Sequence, residues 1–112
     1  MPSENNTMTD QRRHIRYQVD FSATFSGDSA GMGIVYNLGM GGCKVVSDLA
    51  VKNGARLTVH LQTQEQPIAI TVQAATVQWT LQHEFGVEFR EMLERERTRL
   101  GQFLATQSNI VP

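Results

Sequence analysis

From Tyr17 onward, apolar and polar residues alternate strictly: Tyr17, Val19, Phe21, Ala23 and Phe25 are separated by Gln18, Asp20, Ser22 and Thr24. A period of two marks a strand with one buried face. The run Gly27-Asp28-Ser29-Ala30-Gly31 predicts a turn. A second strand follows through Met32, Ile34 and Tyr36 and ends at Asn37-Leu38-Gly39-Met40-Gly41-Gly42. Cys43-Lys44-Val45-Val46 reads as a short third strand, and Asn53-Gly54 as a turn. Leu57, Val59 and Leu61 alternate with Thr58, His60 and Gln62 in a fourth. Pro67 opens a long fifth strand with Ile68, Ile70, Val72 and Ala74 on one face. Val77 and Trp79 continue it in the opposite parity, which predicts a bulge near Ala74-Ala75. Phe85, Val87 and Phe89 form a sixth strand.

After Phe89 the period changes. Leu93, Leu100, Phe103 and Leu104 fall on one stripe of a helix, with Glu94, Arg95, Arg97 and Arg99 largely outside it. Glu91–Arg95 and Glu94–Arg97 have the spacing of helical ion pairs. Gly101 weakens such a helix by roughly 1 kcal/mol relative to alanine, so docking is expected to hold it. Six strands and one helix predict an all-β domain with a C-terminal helix, built as an antiparallel barrel or sandwich that the helix covers.

At 112 residues the chain has room for one domain. Residues 1–10 are expected to be a flexible tail, residues 11–106 the folded domain, and residues 107–112 a C-terminal tail. A net charge of -1 argues against a binder of nucleic-acid polymers, although the N-terminus carries a local basic cluster. Cys43 is the single cysteine, which excludes an internal disulfide and a cysteine-rich metal site. His14, His60 and His83 lack metal-ligand spacing, and no serine has an identifiable base beside it. Neither enzyme activity nor a metal or cofactor is expected. The polar opening MPSENNTMTD is unlike a signal peptide, and no run reaches the ~20 apolar residues of a membrane span. A cytoplasmic protein without membrane insertion is the expectation.

Two segments stand out. Arg12-Arg13-His14-Ile15-Arg16 sets two arginines four apart just before the first strand, and Asn37-Leu38-Gly39-Met40-Gly41-Gly42 closes the second. In this order they resemble the signature of the PilZ domain, an RxxxR segment followed after one hairpin by [D/N]xSxxG. Val77-Gln78-Trp79 and Glu84-Phe85-Gly86-Val87-Glu88-Phe89 are similar to the strands that precede the family's terminal helix. The resemblance spans roughly residues 11 to 104. It implies a six-stranded antiparallel β-barrel and a receptor for cyclic di-GMP that signals through a separate, unidentified effector protein. It also leaves open an adaptor of the same fold that binds no nucleotide, which would be expected to have lost the arginines.

The ligand chemistry suits these residues. A guanidinium pairs with phosphate, or with guanine O6 and N7, and its flat face stacks on a purine. In extended backbone Arg12 and Arg16 point the same way, whereas Arg13 points elsewhere unless the segment turns. The resemblance implies that Arg12 and Arg16 clamp the nucleotide, with Arg13 and His14 nearby, while Asn37 and Gly42 read a guanine. Gly41 and Gly42 allow unusual backbone angles and the close approach of a base. Trp79 is placed beside the nucleotide by the same resemblance; on its own it reads as a core or interface residue. The departure is Gly39, where the family pattern has serine. One missing hydrogen bond costs about 0.5–1.5 kcal/mol, roughly two- to tenfold in affinity.

Overall fold

The computed structural model describes residues 15–64 and 66–112. The tail at residues 1–10, together with Arg12, Arg13 and His14, lies outside the described residues. Six strands are present: β1 (Tyr17–Gly27), β2 (Gly31–Gly39), β3 (Gly42–Val46), β4 (Arg56–Gln62), β5 (Ile70–Leu81) and β6 (Glu84–Glu91). One helix, α1 (Glu94–Ala105), follows them. The strands close into a barrel in the order β1-β2-β3-β6-β5-β4, antiparallel throughout. Closure gives every strand a neighbour on both sides over at least part of its length, which answers the all-β alternation of the sequence.

The inward residues form a continuous core. Phe21, Ala23 and Phe25 of β1 meet Val35 and Leu38, Cys43 and Val45, Val59 and Leu61, Val72 and Val77, and Phe85 and Val87. Phe25 and Phe85 pack edge to face at 5.4 Å between ring centroids. Leu100, Phe103 and Leu104 of α1 join this core, with Phe103 set against Phe21 at 5.6 Å and 89°. The helix therefore stands on its apolar stripe, as its glycine requires.

The predicted change of face in β5 is present. Ile70 and Val72 are buried, then Ala75 and Val77, and the register with β6 slips between Ala74 and Ala75. Pro67 and Ile68 lie ahead of the strand, and Ile68 is exposed. The carbonyls of Ile68 and Ala69 accept from the Arg99 guanidinium, so this backbone is committed to the helix and not to the ladder. In β2 the apolar face is the reverse of the one marked by Met32, Ile34 and Tyr36. Met32 and Ile34 face outward, and Gly33, Val35 and Leu38 are buried.

The helix also departs from its expected faces. Leu93 caps the N-terminus and is largely exposed, whereas Glu96 is buried and Arg99 partly so. Glu96 accepts from the Thr71 amide at 2.7 Å and from Arg99 at 3.0 Å, and Arg99 also donates to Gln66 at 2.6 Å. Among the described residues the ion pairs are Arg99–Glu96 and Arg90–Glu88, and His83 lies 3.3 Å from Asp48; the Glu91–Arg95 and Glu94–Arg97 pairs do not form. A hydrophobic stripe cannot foresee an ion pair that anchors the helix to the loop before β5.

Beyond α1 the chain turns back along β1. Below Ser22, β1 has no partner on the β4 side, and residues 109–111 fill that gap. The Gln18 amide donates to the Asn109 carbonyl at 2.6 Å, the Val111 amide donates to the Arg16 carbonyl at 2.8 Å, and Tyr17 bridges to Ile110.

Candidate functional site on the barrel exterior

Residues directly opposite one another in an antiparallel ladder share a face. Leu38, Cys43, Val87 and Val77 form one such row across β2, β3, β6 and β5, and all four are buried inside the barrel. The adjacent row runs Gln18, Asn37, Lys44, Gly86 and Trp79 across β1, β2, β3, β6 and β5. By strand alternation it lies on the outer surface. Asn37 and Trp79, far apart in sequence, thus lie at two points of one row that wraps the barrel exterior, three strands apart.

Arg16 reaches this face from the end of β1. Its Nε donates to Asn37 Oδ1 at 2.6 Å. Asn37 is only 6% exposed, so the pair is held in place. Partial burial lowers the Arg16 pKa from its ordinary value, with Cys43 acting in the opposite sense. Cys43 sits in the core row just beneath, where burial pushes its thiol pKa up to about 12, which keeps it neutral and chemically quiet.

Gly39 lies under this pair. A Cβ there would stand 2.9 Å from the Ile15 carbonyl oxygen and 3.0 Å from Arg16 Cδ. The entering chain thus passes directly over Gly39, and the space a serine side chain would need is filled by Arg16. Gly39 pairs with Gly42, and the two-residue turn Met40-Gly41 joins β2 to β3 without a left-handed glycine. Neither Gly41 nor Gly42 uses the positive φ that glycine allows. Gly42 is close-packed for another reason: its Cβ would fall 2.2 Å from the Val87 carbonyl oxygen, so β3 and β6 need a glycine there to pair. Its close approach is to β6. Gly41 is open, with nothing within 4 Å of a Cβ, and its carbonyl accepts from the Phe89 amide at 2.8 Å.

At the other end of the row, Gly86 is buried beneath Trp79. A Cβ on Gly86 would lie 2.3 Å from the indole Nε1 and 2.5 Å from Cε2. The slip in register at Val77 and Trp79 turns the indole onto that glycine. Trp79 is half-buried, held against the sheet with its remaining surface facing solvent. An apolar hollow of about 350 Å³, lined by Ile15, Tyr17, Met40, Gly101, Leu104 and Ala105, adjoins the Arg16 end.

Arg16 thus meets both Asn37 and Gly39, Gly41 and Gly42 follow in the adjoining turn and strand, Trp79 lies three strands away along the exterior row, and Arg12 and Arg13 lie outside the described residues. Lys44 was absent from the expected set although it lies between Asn37 and Gly86. Its position between inward Cys43 and Val45 was the available signal.

The PilZ domain family model matches residues 10–106, nearly the whole chain and both signature segments. The chain belongs to the PilZ domain family. No curated protein sequence matches it. Among solved structures, this PilZ domain is similar to the Bacillus subtilis inhibitor of motility (MotI/DgrA), with a TM-score of 0.69 and 20% identity. That match covers 85% of this chain and 50% of the Bacillus protein, so the chain spans half the length of its structural neighbour. At that identity the likeness speaks for the fold. PilZ domains are receptor and adaptor domains, and no catalytic family is indicated. No helix is long and apolar enough to cross a membrane, and no group of three or more metal-ligating side chains occurs among the described residues.

Proposed function

We propose that this PilZ domain is a receptor for cyclic di-GMP that works in the bacterial cytoplasm and passes the signal to a separate effector protein. The observation that carries the reading is the Arg16–Asn37 hydrogen bond on the exterior row that ends at Trp79. With Nε committed to Asn37, the guanidinium plane is fixed and its terminal nitrogens are left for a phosphate or a guanine edge. Arg12 and Arg13, drawn onto the same ligand, would supply further positive charge, and Gly41 presents open space, with nothing described within 4 Å of a Cβ there. Trp79 offers a surface for a guanine to stack on.

On this reading Asn37 acts first as the group that aims Arg16 and second as a contact to the base. A diguanylate bound here would bridge the arginine-bearing N-terminal arm and the barrel, and that rearrangement is the signal offered to the effector. Calorimetric titration with cyclic di-GMP, against GMP and GTP as controls, tests the reading. Binding selective for the cyclic dinucleotide is expected; absence of heat at high micromolar ligand overturns it and leaves the nucleotide-free adaptor in its place.

A further inference from the structure

The two anchors of the exterior row are too far apart to serve one phosphate. The backbones of Asn37 on β2 and Trp79 on β5 are three strand spacings apart, about 14 Å along the barrel wall, with the indole lying back over β6. Lys44 on β3 stands between them, its backbone directly opposite Asn37 on one side and Gly86 on the other. Gly86 carries no side chain, so nothing on β6 stands in the row between the lysine and the indole that covers the glycine.

The carboxylates nearest Lys44 in the ladder are held by other side chains. On β6 the diagonal neighbours are Glu84 and Glu88. Glu84 accepts from the Tyr36 hydroxyl, and Glu88 pairs with Arg90 at 3.2 Å. Among the described residues Lys44 has no hydrogen-bond or ion-pair partner. A half-buried lysine at the centre of the row, with no ion-pair partner of its own among the described residues, is open to an anion from outside.

We infer that Lys44 is a ligand contact of this site, meeting a phosphate of the bound nucleotide between the Arg16–Asn37 pair and Trp79. The inference rests on the cyclic di-GMP reading and adds to it a charged group outside both signature segments. Lysine suits the position because its ammonium is a compact charge on a flexible stem, able to reach a phosphate beside the indole that covers Gly86.

Titration of wild type, Lys44→Gln and Lys44→Arg with cyclic di-GMP, at low and at high sodium chloride, tests it. Lys44→Gln is expected to weaken binding about tenfold at low salt, the gap from wild type closing as salt screens the exposed charge. Lys44→Arg should bind within about threefold of wild type, since the charge is kept. Melting temperatures of both should match wild type, because the side chain faces away from the core. If wild type binds and Lys44→Gln binds equally well, or if the loss is the same at both salts, Lys44 is an ordinary surface lysine and the inference falls alone. If wild type itself fails to bind, the receptor reading falls and takes the inference with it. Should Lys44→Gln melt early, Lys44→Arg decides: restored stability with tenfold weaker binding would also overturn the phosphate contact.

Discussion

Arg16 Nε donates to Asn37 Oδ1 at 2.6 Å across a separation of 21 residues, and this bond links the two signature segments of the domain before any ligand is present. If Asn37 works by aiming Arg16, the two must be coupled. Arg16→Ala and Asn37→Ala are each expected to weaken cyclic di-GMP about tenfold or more, as charge-assisted hydrogen bonds are worth roughly 1.5–3 kcal/mol. The double variant should lose little more than the worse single. A calorimetric double-mutant cycle checks this, and strictly additive losses would show that Asn37 contacts the ligand independently.

Gly39 departs from the family's serine, and the sequence alone invites the idea that Gly39→Ser would restore a ligand contact. The geometry points the other way. Gly39 has no positive φ to defend, yet its Cβ would crowd Ile15 O at 2.9 Å and Arg16 Cδ at 3.0 Å. Gly39→Ser is therefore expected to displace Arg16 from Asn37, cost about 1–3 kcal/mol by overpacking and bind no more tightly. Thermal melts beside titrations measure both quantities; unchanged melting with tighter binding would show that the arm yields freely.

The single tryptophan reports on its own platform. Gly86→Ala places a methyl where the Trp79 indole lies, 2.3 Å from Nε1. The ring must lift from β6, and its emission should shift to longer wavelength as it becomes more exposed. Ligand-induced fluorescence change should fall with it. An unaltered spectrum would mean that the indole packs elsewhere in solution.

Acid should find the helix anchor. Burial alone would raise the Glu96 pKa, but the Thr71 amide and the charges of Arg99 and Arg95 outweigh it, and the net shift is downward. A carboxyl whose folded pKa lies below its unfolded one stabilises the fold above the unfolded value, near 4.5, and loses that contribution as pH falls through the folded value. Glu96→Gln should cost about 1–3 kcal/mol at pH 7 and progressively less below about pH 4. Melting temperatures of both proteins across pH 2–7 check it; parallel curves would contradict the assignment.

Residues 109–111 cover the part of β1 that carries Arg16 at its end. Removing residues 108–112 uncovers the Gln18 amide and the Arg16 carbonyl, each of which now has a backbone partner. Amide exchange at Gln18 should accelerate at least tenfold, corresponding to the loss of about 1.4 kcal/mol of local protection. Exchange that stays slow would show that β1 holds its shape unaided.

Local pattern determined most of the architecture. Most strands have a period of two written in their own residues, although in β2 Met32, Ile34 and Tyr36 mark the outward face. The Ala74-Ala75 bulge is a visible change of parity, and the helix is a change of period. The two signature segments are likewise short-range, because each is a few consecutive residues whose chemistry is carried by their identity. What joins them is not short-range. That Arg16 lies over Gly39, that Gly42 is bare for Val87 and Gly86 for Trp79, and that Lys44 lies between Asn37 and the indole depend on which strands become neighbours when the barrel closes in the order β1-β2-β3-β6-β5-β4. The same holds for Glu96 and Arg99, polar residues drawn inward because the loop before β5 offers them backbone partners. Periodicity reports which side of a strand is apolar, but ladder register and closure decide what each outward side chain meets across the sheet, and only the folded chain contains that information.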